Sequence, residues 1–445
     1  MELEKLEEER KFIKDSENST DSAREQWGNK LQSILTMLGY IVSVGNLWRF
    51  PYMCLKNGGG AFLIPFILSG IFLAYPIFLL EVSIGQFTSK AVNKCWEACP
   101  LLKGVGYGML ICMGFCVYYV MVVTWTMYFI GSSFISPLQW TTCDNWWNTD
   151  SCHTNGVTSG FSANVTSQLT TSNSSAIKKF TSSTEEFFEH NVLQLSSGIE
   201  NLGGFNIPLL LCLSGSWLII FLCVMKGVET IGKVVYVTAT LPVLLIVILF
   251  IRSVMEPGAV DGVMFLIVPD LNKLKDVNVW IEASLQILFS SGVLWGPLIT
   301  IQGFNKFKNN CVRDSVLVLC LGEGTSLLAG FLVFSVLGSM AHANGITMQE
   351  VAKSGPGLAF IVYPEAVSRL PLPNLWAVLF FLMIYTLALD TTFGSFEPII
   401  IAATDSFQLA RKHRIKTTFA ILFLMFLCSI PFSLKVLIAS LGTLS

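Results

Sequence analysis

The chain has 445 residues, 53% hydrophobic and only 13% charged, with a mean hydropathy of +0.62. Soluble domains carry roughly 25% charged residues, so the composition excludes an ordinary soluble fold and places the chain among membrane proteins. A formal net charge of −2 gives no bulk attraction to nucleic acid, and no nucleic-acid partner is expected.

In chain order, residues 1–30 are hydrophilic and rich in Glu and Lys. They lack the apolar core of a secretory signal and read as a cytosolic N-terminal tail. Residues 31–445 read as a membrane domain. About 20 apolar residues cross a bilayer, and the candidate spans are 31–54, 61–83, 105–134, 207–225, 234–253, 280–304, 315–340, 374–404 and 416–440, about nine in all. Lys90, Lys94, Lys103, Lys226, Lys233, Lys306, Lys308, Arg313, Arg411, Lys412, Arg414 and Lys416 fall in alternate linkers. The positive-inside rule then puts the N-terminus in the cytosol of a multi-pass protein of the plasma membrane.

The loop 135–206 falls on the outer side. It holds two sequons, at Asn164 and Asn173, and the pair Cys143 and Cys152 around a polar stretch. Glycans and a disulfide both belong outside the cytosol, so a Cys143–Cys152 bridge is expected there. A sequon at Asn18 lies in the tail and reads as a chance match. The other cysteines lie mostly within apolar runs, where a thiol behaves as a small hydrophobe.

Two spans carry breaks: "SVGN" at 43–46 in the first and "SSGVLWGP" at 290–297 in the sixth. Unwound backbone in lipid is tolerated only around a cavity or inside protein. Breaks at matching positions of two halves, five spans apart, point to a transporter binding site. Glycines that merely allow close helix packing are the alternative. Enzyme chemistry is not expected. "GVETIGKV" at 227–234 lacks the hydroxyl of a phosphate loop and follows no strand, and neither a zinc-protease nor a serine-nucleophile motif occurs.

The motifs "REQWGNKL" (24–31), "GNLWRFPY" (45–52), "NGGGAFLIPF" (57–66), "KGVETIGKVVYVTATLP" (226–242), "NKFKNNCVRDS" (305–315) and "GPGLAFIVYPEA" (355–366) resemble the neurotransmitter:sodium symporters, solute carrier family 6. The glycine and broad amino-acid transporters of that family look nearest. The resemblance implies an all-α polytopic fold with a 5+5 inverted repeat and discontinuous helices 1 and 6. The family has twelve spans, and about nine are expected here. It implies sodium-coupled symport of a small amino acid by alternating access, with Na+ as the coupled ion and Cl− uncertain. The implied partners are the substrate, the lipid bilayer and other copies of family members. The alternative is a truncated or degenerate member that does not transport and modulates a full-length partner.

Residue by residue, the resemblance places a second sodium site at the carbonyls of Gly39, Val42 and Leu387 and the side chains of Asp390 and Thr391. It places a first site at Ile41, Asn46 and Ser290, with the expected Asn of span 7 replaced by Gly322. It places chloride at Gln286, Ser290 and Ser326, with Phe66 where a Tyr is expected. Glu323, beside the gap, is either a tolerated residue at a lost site, the favoured reading, or the source of the negative charge that chloride would otherwise bring. Ser43, Tyr119, Phe289, Gly292, Trp295 and Thr391 would surround the substrate. Ser43 stands where monoamine carriers have Asp, so the substrate is expected to bring its own carboxylate. Leu294, in place of a small residue, would shrink the pocket. Arg24 and Asp405 would form the cytoplasmic gate beside Trp27, with Phe304 in place of a Tyr. Arg49 would face an outer-gate Asp on a tenth span that this sequence does not include.

Overall fold

The structure is a computed structural model that describes residues 26–154, 181–196, 200, 203–351 and 355–435. Among them, helices run as α1 Lys30–Ile41, α2 Val44–Lys56, α3 Gly60–Thr88, α4 Pro100–Ser133, α5 Ile207–Val224, α6 Val228–Ser253, α7 Ala259–Ile267, α8 Val277–Ser290, α9 Pro297–Gln302, α10 Cys311–Asn344, α11 Leu358–Ser368, α12 Pro373–Ser406 and α13 Arg414–Ser433. Seven of these, α3, α4, α5, α6, α10, α12 and α13, are long and apolar enough to cross a membrane. The pair α1 and α2 makes an eighth candidate, bent by 48°. The sixth predicted span is α8 and α9, two short helices separated by residues 291–296. Among the described residues all nine predicted spans therefore coincide with helix, but α3, α4, α6 and α10 run about four to six residues past the predicted ends. Those extensions carry polar residues, which a hydropathy window does not count.

Local signals explain the ends. Asn29 caps α1, its Oδ1 accepting from the Gln32 N–H at 2.9 Å, and Asn310 caps α10 by accepting from Arg313 at 3.0 Å. In α6 the helix is interrupted at residues 239–240 and resumes with Pro242 in its first turn, where a missing N–H costs nothing.

α12 is the most deeply buried span. It packs against α4, α1 and α6, while α10 packs against α7, α2 and α3. The two broken helices lie between these supports. Outside the helices, a two-residue parallel pair joins β1 Cys152–His153 to β2 Thr181–Ser182, and Cys143 is bonded to Cys152 as expected. Glu186 organises this loop. It accepts from the Thr149 N–H at 2.9 Å, from Asn148 at 3.1 Å and from the Thr149 hydroxyl. Burial pushes its pKa up, but those hydrogen bonds outweigh it and hold the carboxyl below the ordinary glutamate range. The sequons at Asn164 and Asn173 lie outside the described residues.

Candidate functional site

The α1–α2 break faces the middle of α12. α1 ends at Ile41, Val42 and Ser43 follow, and Ser43 is the extended N-cap of α2. A helix end leaves carbonyls on one side of a break and N–H groups on the other unpaired within the helix. Asp390 lies opposite, buried, and neither carboxylate oxygen has a hydrogen-bond partner among the described residues. A Cβ on Gly39 would stand 2.8 Å from Asp390 Oδ2, so only glycine lets α1 come this close. Thr391 Oγ1 donates to the Leu387 carbonyl at 3.2 Å. A buried carboxylate without a donor is costly unless a cation or a proton meets it. Its two unpartnered oxygens are of the kind that a hard cation takes as ligands.

The predicted first ion site is built differently. Asn46 is buried. Its Nδ2 donates to the Ile41 carbonyl at 3.3 Å, and Ser43 Oγ donates to its Oδ1 at 3.3 Å. Both Asn46 side-chain atoms thus close the break itself. The notch left by Gly322 is not open: a Cβ there would collide with Ile41 Cδ1. The Ile41 side chain fills the space where a span 7 ligand was expected. Ser290 donates to Glu323 Oε1 at 2.8 Å, and Ser326 donates to Glu323 Oε2 at 3.2 Å. The half-buried Glu323 therefore lies between two of the predicted chloride ligands. Gln286 is fully buried, and neither amide atom has a partner among the described residues. Phe66 packs into an aromatic trio, its ring centroid 5.0 Å from Phe50 and 6.1 Å from Phe62.

The break between α8 and α9 is wound through left-handed backbone: φ is +66° at Gly292, +72° at Leu294 and +98° at Gly296. Glycine takes this region freely, but a leucine there is strained. Glu81 of α3 holds the strained residue, its Oε1 accepting from the Leu294 N–H at 2.7 Å. Leu294, Phe289 and Trp295 are 55%, 44% and 37% exposed, so the predicted substrate aromatics present open faces. Tyr119 reaches the first turn of α2, accepting from the Val44 N–H at 3.4 Å. Arg49, expected to lack a partner, lies over the Phe289 ring with Cζ 4.6 Å from the centroid, a cation–π contact.

At the other end of α1, Trp27 fastens the chain to α9. Its indole donates to the Ile301 carbonyl at 2.9 Å, its backbone N–H donates to Phe304 at 3.2 Å, and its ring meets Phe304 edge-on. A cavity of about 20 Å³ lies between Trp27 and Asp390, room for about one water. Arg24 lies outside the described residues, so its predicted pairing with Asp405 is not placed. Lys94 donates to the Asp405 backbone carbonyl at 2.5 Å. Nearby, Arg414 pairs with Glu397 at 2.8 Å. A larger cavity of about 360 Å³ lies elsewhere, between the C-terminal ends of α6 and α10 and the residues of α11, and includes none of the predicted site residues.

The sequence profile of the sodium:neurotransmitter symporter family matches residues 24–440. The chain belongs to that family. It is 44% identical over 421 residues to the sodium- and chloride-dependent glycine transporter 2 of Xenopus laevis, covering 90% of this chain and 53% of that protein. It is 42% identical to the sodium- and chloride-dependent taurine transporter of Canis lupus familiaris, covering 92% of this chain and 65% of the relative. It is also 42% identical to the sodium- and chloride-dependent glycine transporter 1 of Xenopus laevis, covering 92% and 66%. The chain spans between half and two-thirds of the length of these relatives. Like its family, it is a multi-pass membrane protein and not an enzyme.

Sequence reasoning missed Glu81, Glu397 and the role of Ile41. A glutamate near the end of the apolar run 61–83 was a usable signal, because an ionisable residue within a span is functional by default. Ile41 gave no signal by itself, since its meaning depends on Gly322 lying opposite.

Proposed function

We propose that this symporter-family chain couples inward movement of a small amino acid, or a related solute with its own carboxylate, to sodium across the plasma membrane by alternating access. The observation that carries this reading is the buried, unpartnered Asp390 carboxylate facing Gly39 at the end of α1. Sodium is the transported ion, held by Asp390 and Thr391 with the carbonyls of Gly39, Val42 and Leu387. The first N–H groups of α2 and the Tyr119 hydroxyl receive the substrate carboxylate, as helix N-termini receive anions. Ser43, Phe289, Gly292 and Trp295 line the same space. The Ile41 side chain in the Gly322 notch supports a single sodium per cycle. The two serine hydroxyls on Glu323 support a carboxylate in the place of chloride, although the relatives are described as chloride-dependent. Residues 1–30 are taken as cytosolic and 135–206 as outside the cell, with glycans on Asn164 and Asn173.

Uptake of labelled glycine, alanine and taurine into cells expressing the chain, with sodium replaced by choline, tests the reading. Uptake that falls to background without sodium supports it. No uptake despite surface expression would defeat it. That second outcome favours the other reading, a non-transporting member acting on a full-length partner, for which the filled Gly322 notch speaks.

A further inference from the structure

Tyr40 follows Gly39 at the end of α1 and is buried. Its hydroxyl donates to the Gly292 carbonyl, in the break of the sixth span, at 3.0 Å. Its ring lies in two notches at once. A Cβ on Gly292 would stand 2.5 Å from Tyr40 Cε1, and a Cβ on Gly394 would stand 2.5 Å from Tyr40 Cδ2. Gly394 is one helical turn beyond Asp390 on α12, and residues four apart share a face. One side chain from the ion-facing end of α1 thus touches both the strained break and the helix that carries the carboxylate. Among the hydrogen bonds described, Ser291 ties the break to α8 by donating to the Leu288 carbonyl, and from another helix Glu81 of α3 acts on Leu294.

We infer that Tyr40 is a positioning residue that couples the ion-facing stretch of α12 to the unwound segment 291–296. The ring is the mechanical link and the hydroxyl sets the carbonyl. A shift of α12 on ion binding presses on the ring through the Gly394 notch. The ring then moves Gly292, which the proposed substrate touches. The transport consequence rests on the proposed function above, but the coupling is a property of the packing and can be read without substrate.

The reporter is Leu294→Cys in the full chain, labelled by a membrane-impermeant thiol reagent and quantified at that peptide by mass spectrometry. Adding Tyr40→Phe removes one hydrogen bond, and labelling is expected to rise about fivefold. Tyr363→Phe, which removes a buried hydroxyl with no partner among the described residues, is expected to leave labelling unchanged. Gly394→Ala should raise labelling when the Tyr40 ring is present and add nothing in a Tyr40→Ala background. In uptake assays without the reporter, Tyr40→Phe should raise the half-saturating substrate concentration about fivefold at an unchanged maximal rate per surface molecule. A purely structural lesion would lower the maximal rate instead. Unchanged labelling in Tyr40→Phe, or an equal increment from Gly394→Ala with and without the ring, overturns the inference. If the wild-type chain takes up nothing, the proposed function fails while the labelling series still decides the coupling.

Discussion

The two halves of the candidate ion site differ in how they satisfy their polar groups. Around Asp390 the charge is left open: two unpartnered oxygens face a glycine, and a cavity of single-water size lies toward Trp27. Around Gly322 most groups are closed, the buried Gln286 amide being the exception, without a partner among the described residues. Asn46 bonds across its own helix break, Ser290 and Ser326 bond to Glu323, and Ile41 fills the notch. A group awaiting a ligand stays undersatisfied at a cost, whereas one without that task finds partners within the chain. The contrast supports the proposal that the Asp390 side responds to the ion and that the Gly322 side has been rebuilt.

The strongest way to break this comparison is Asp390→Asn, which keeps the volume and removes the charge. It is expected to bring sodium-dependent uptake to background, as measured with labelled glycine at matched surface expression. Next is Glu323→Gln. Losing one charged acceptor from two serine hydroxyls is expected to cut uptake about tenfold in chloride-free medium, with recovery on adding chloride. Recovery in the variant but no chloride dependence in the wild type would sharpen the assignment, and wild-type uptake that vanishes without chloride would sink it.

A third test reopens the closed half. Gly322→Asn alone should overpack against Ile41 and lower thermal stability by about 1–3 kcal/mol. The pair Ile41→Ala with Gly322→Asn should relieve that loss and make the sodium dependence of uptake steeper. A smaller effect is expected from Phe289→Leu, which removes the surface under Arg49. About 0.5–1 kcal/mol is at stake at an exposed cation–π pair, read as a modest rise in half-saturating substrate.

The smallest effect concerns the outer loop. The Glu186 carboxyl has its pKa lowered in the folded chain, so its contribution to stability is present above the unfolded value and is lost as pH falls through the lower folded one. The protection of the Thr149 amide from hydrogen exchange, taken relative to its intrinsic rate at each pH, should fall on acidification below about pH 4, the ordinary glutamate range, and Glu186→Gln should flatten that response.

Much of this was legible in the sequence. The breaks at 43–46 and 290–297 and the Cys143–Cys152 bond follow from local composition and spacing, whereas the Asp390–Thr391 pair came only from the family resemblance. What was not legible depends on register between distant helices. Gly322 alone reads as a missing ligand. Only the lateral approach of α1 to α10 reveals that Ile41 stands in the gap. Arg49 likewise read as an orphan because its expected partner lay on another span, whereas the nearer Phe289 ring supplies a face without any charge to announce it. Leu294 read as a pocket-filling residue, but its left-handed backbone and the Glu81 contact make it part of the break's own framework.

On the proposed single-sodium cycle, the hydrocarbon in the Gly322 notch would also set a thermodynamic ceiling. A cycle that carries one sodium with a zwitterion moves one net charge, worth about 2.3 kcal/mol for each 100 mV of membrane potential. Each tenfold sodium gradient adds about 1.4 kcal/mol. A two-ion carrier would double both contributions and square the concentration ratio it can hold. By that arithmetic, the proposed one-sodium cycle would limit how steeply a cell expressing this chain could accumulate solute, and would suit it to supplies that are already plentiful outside.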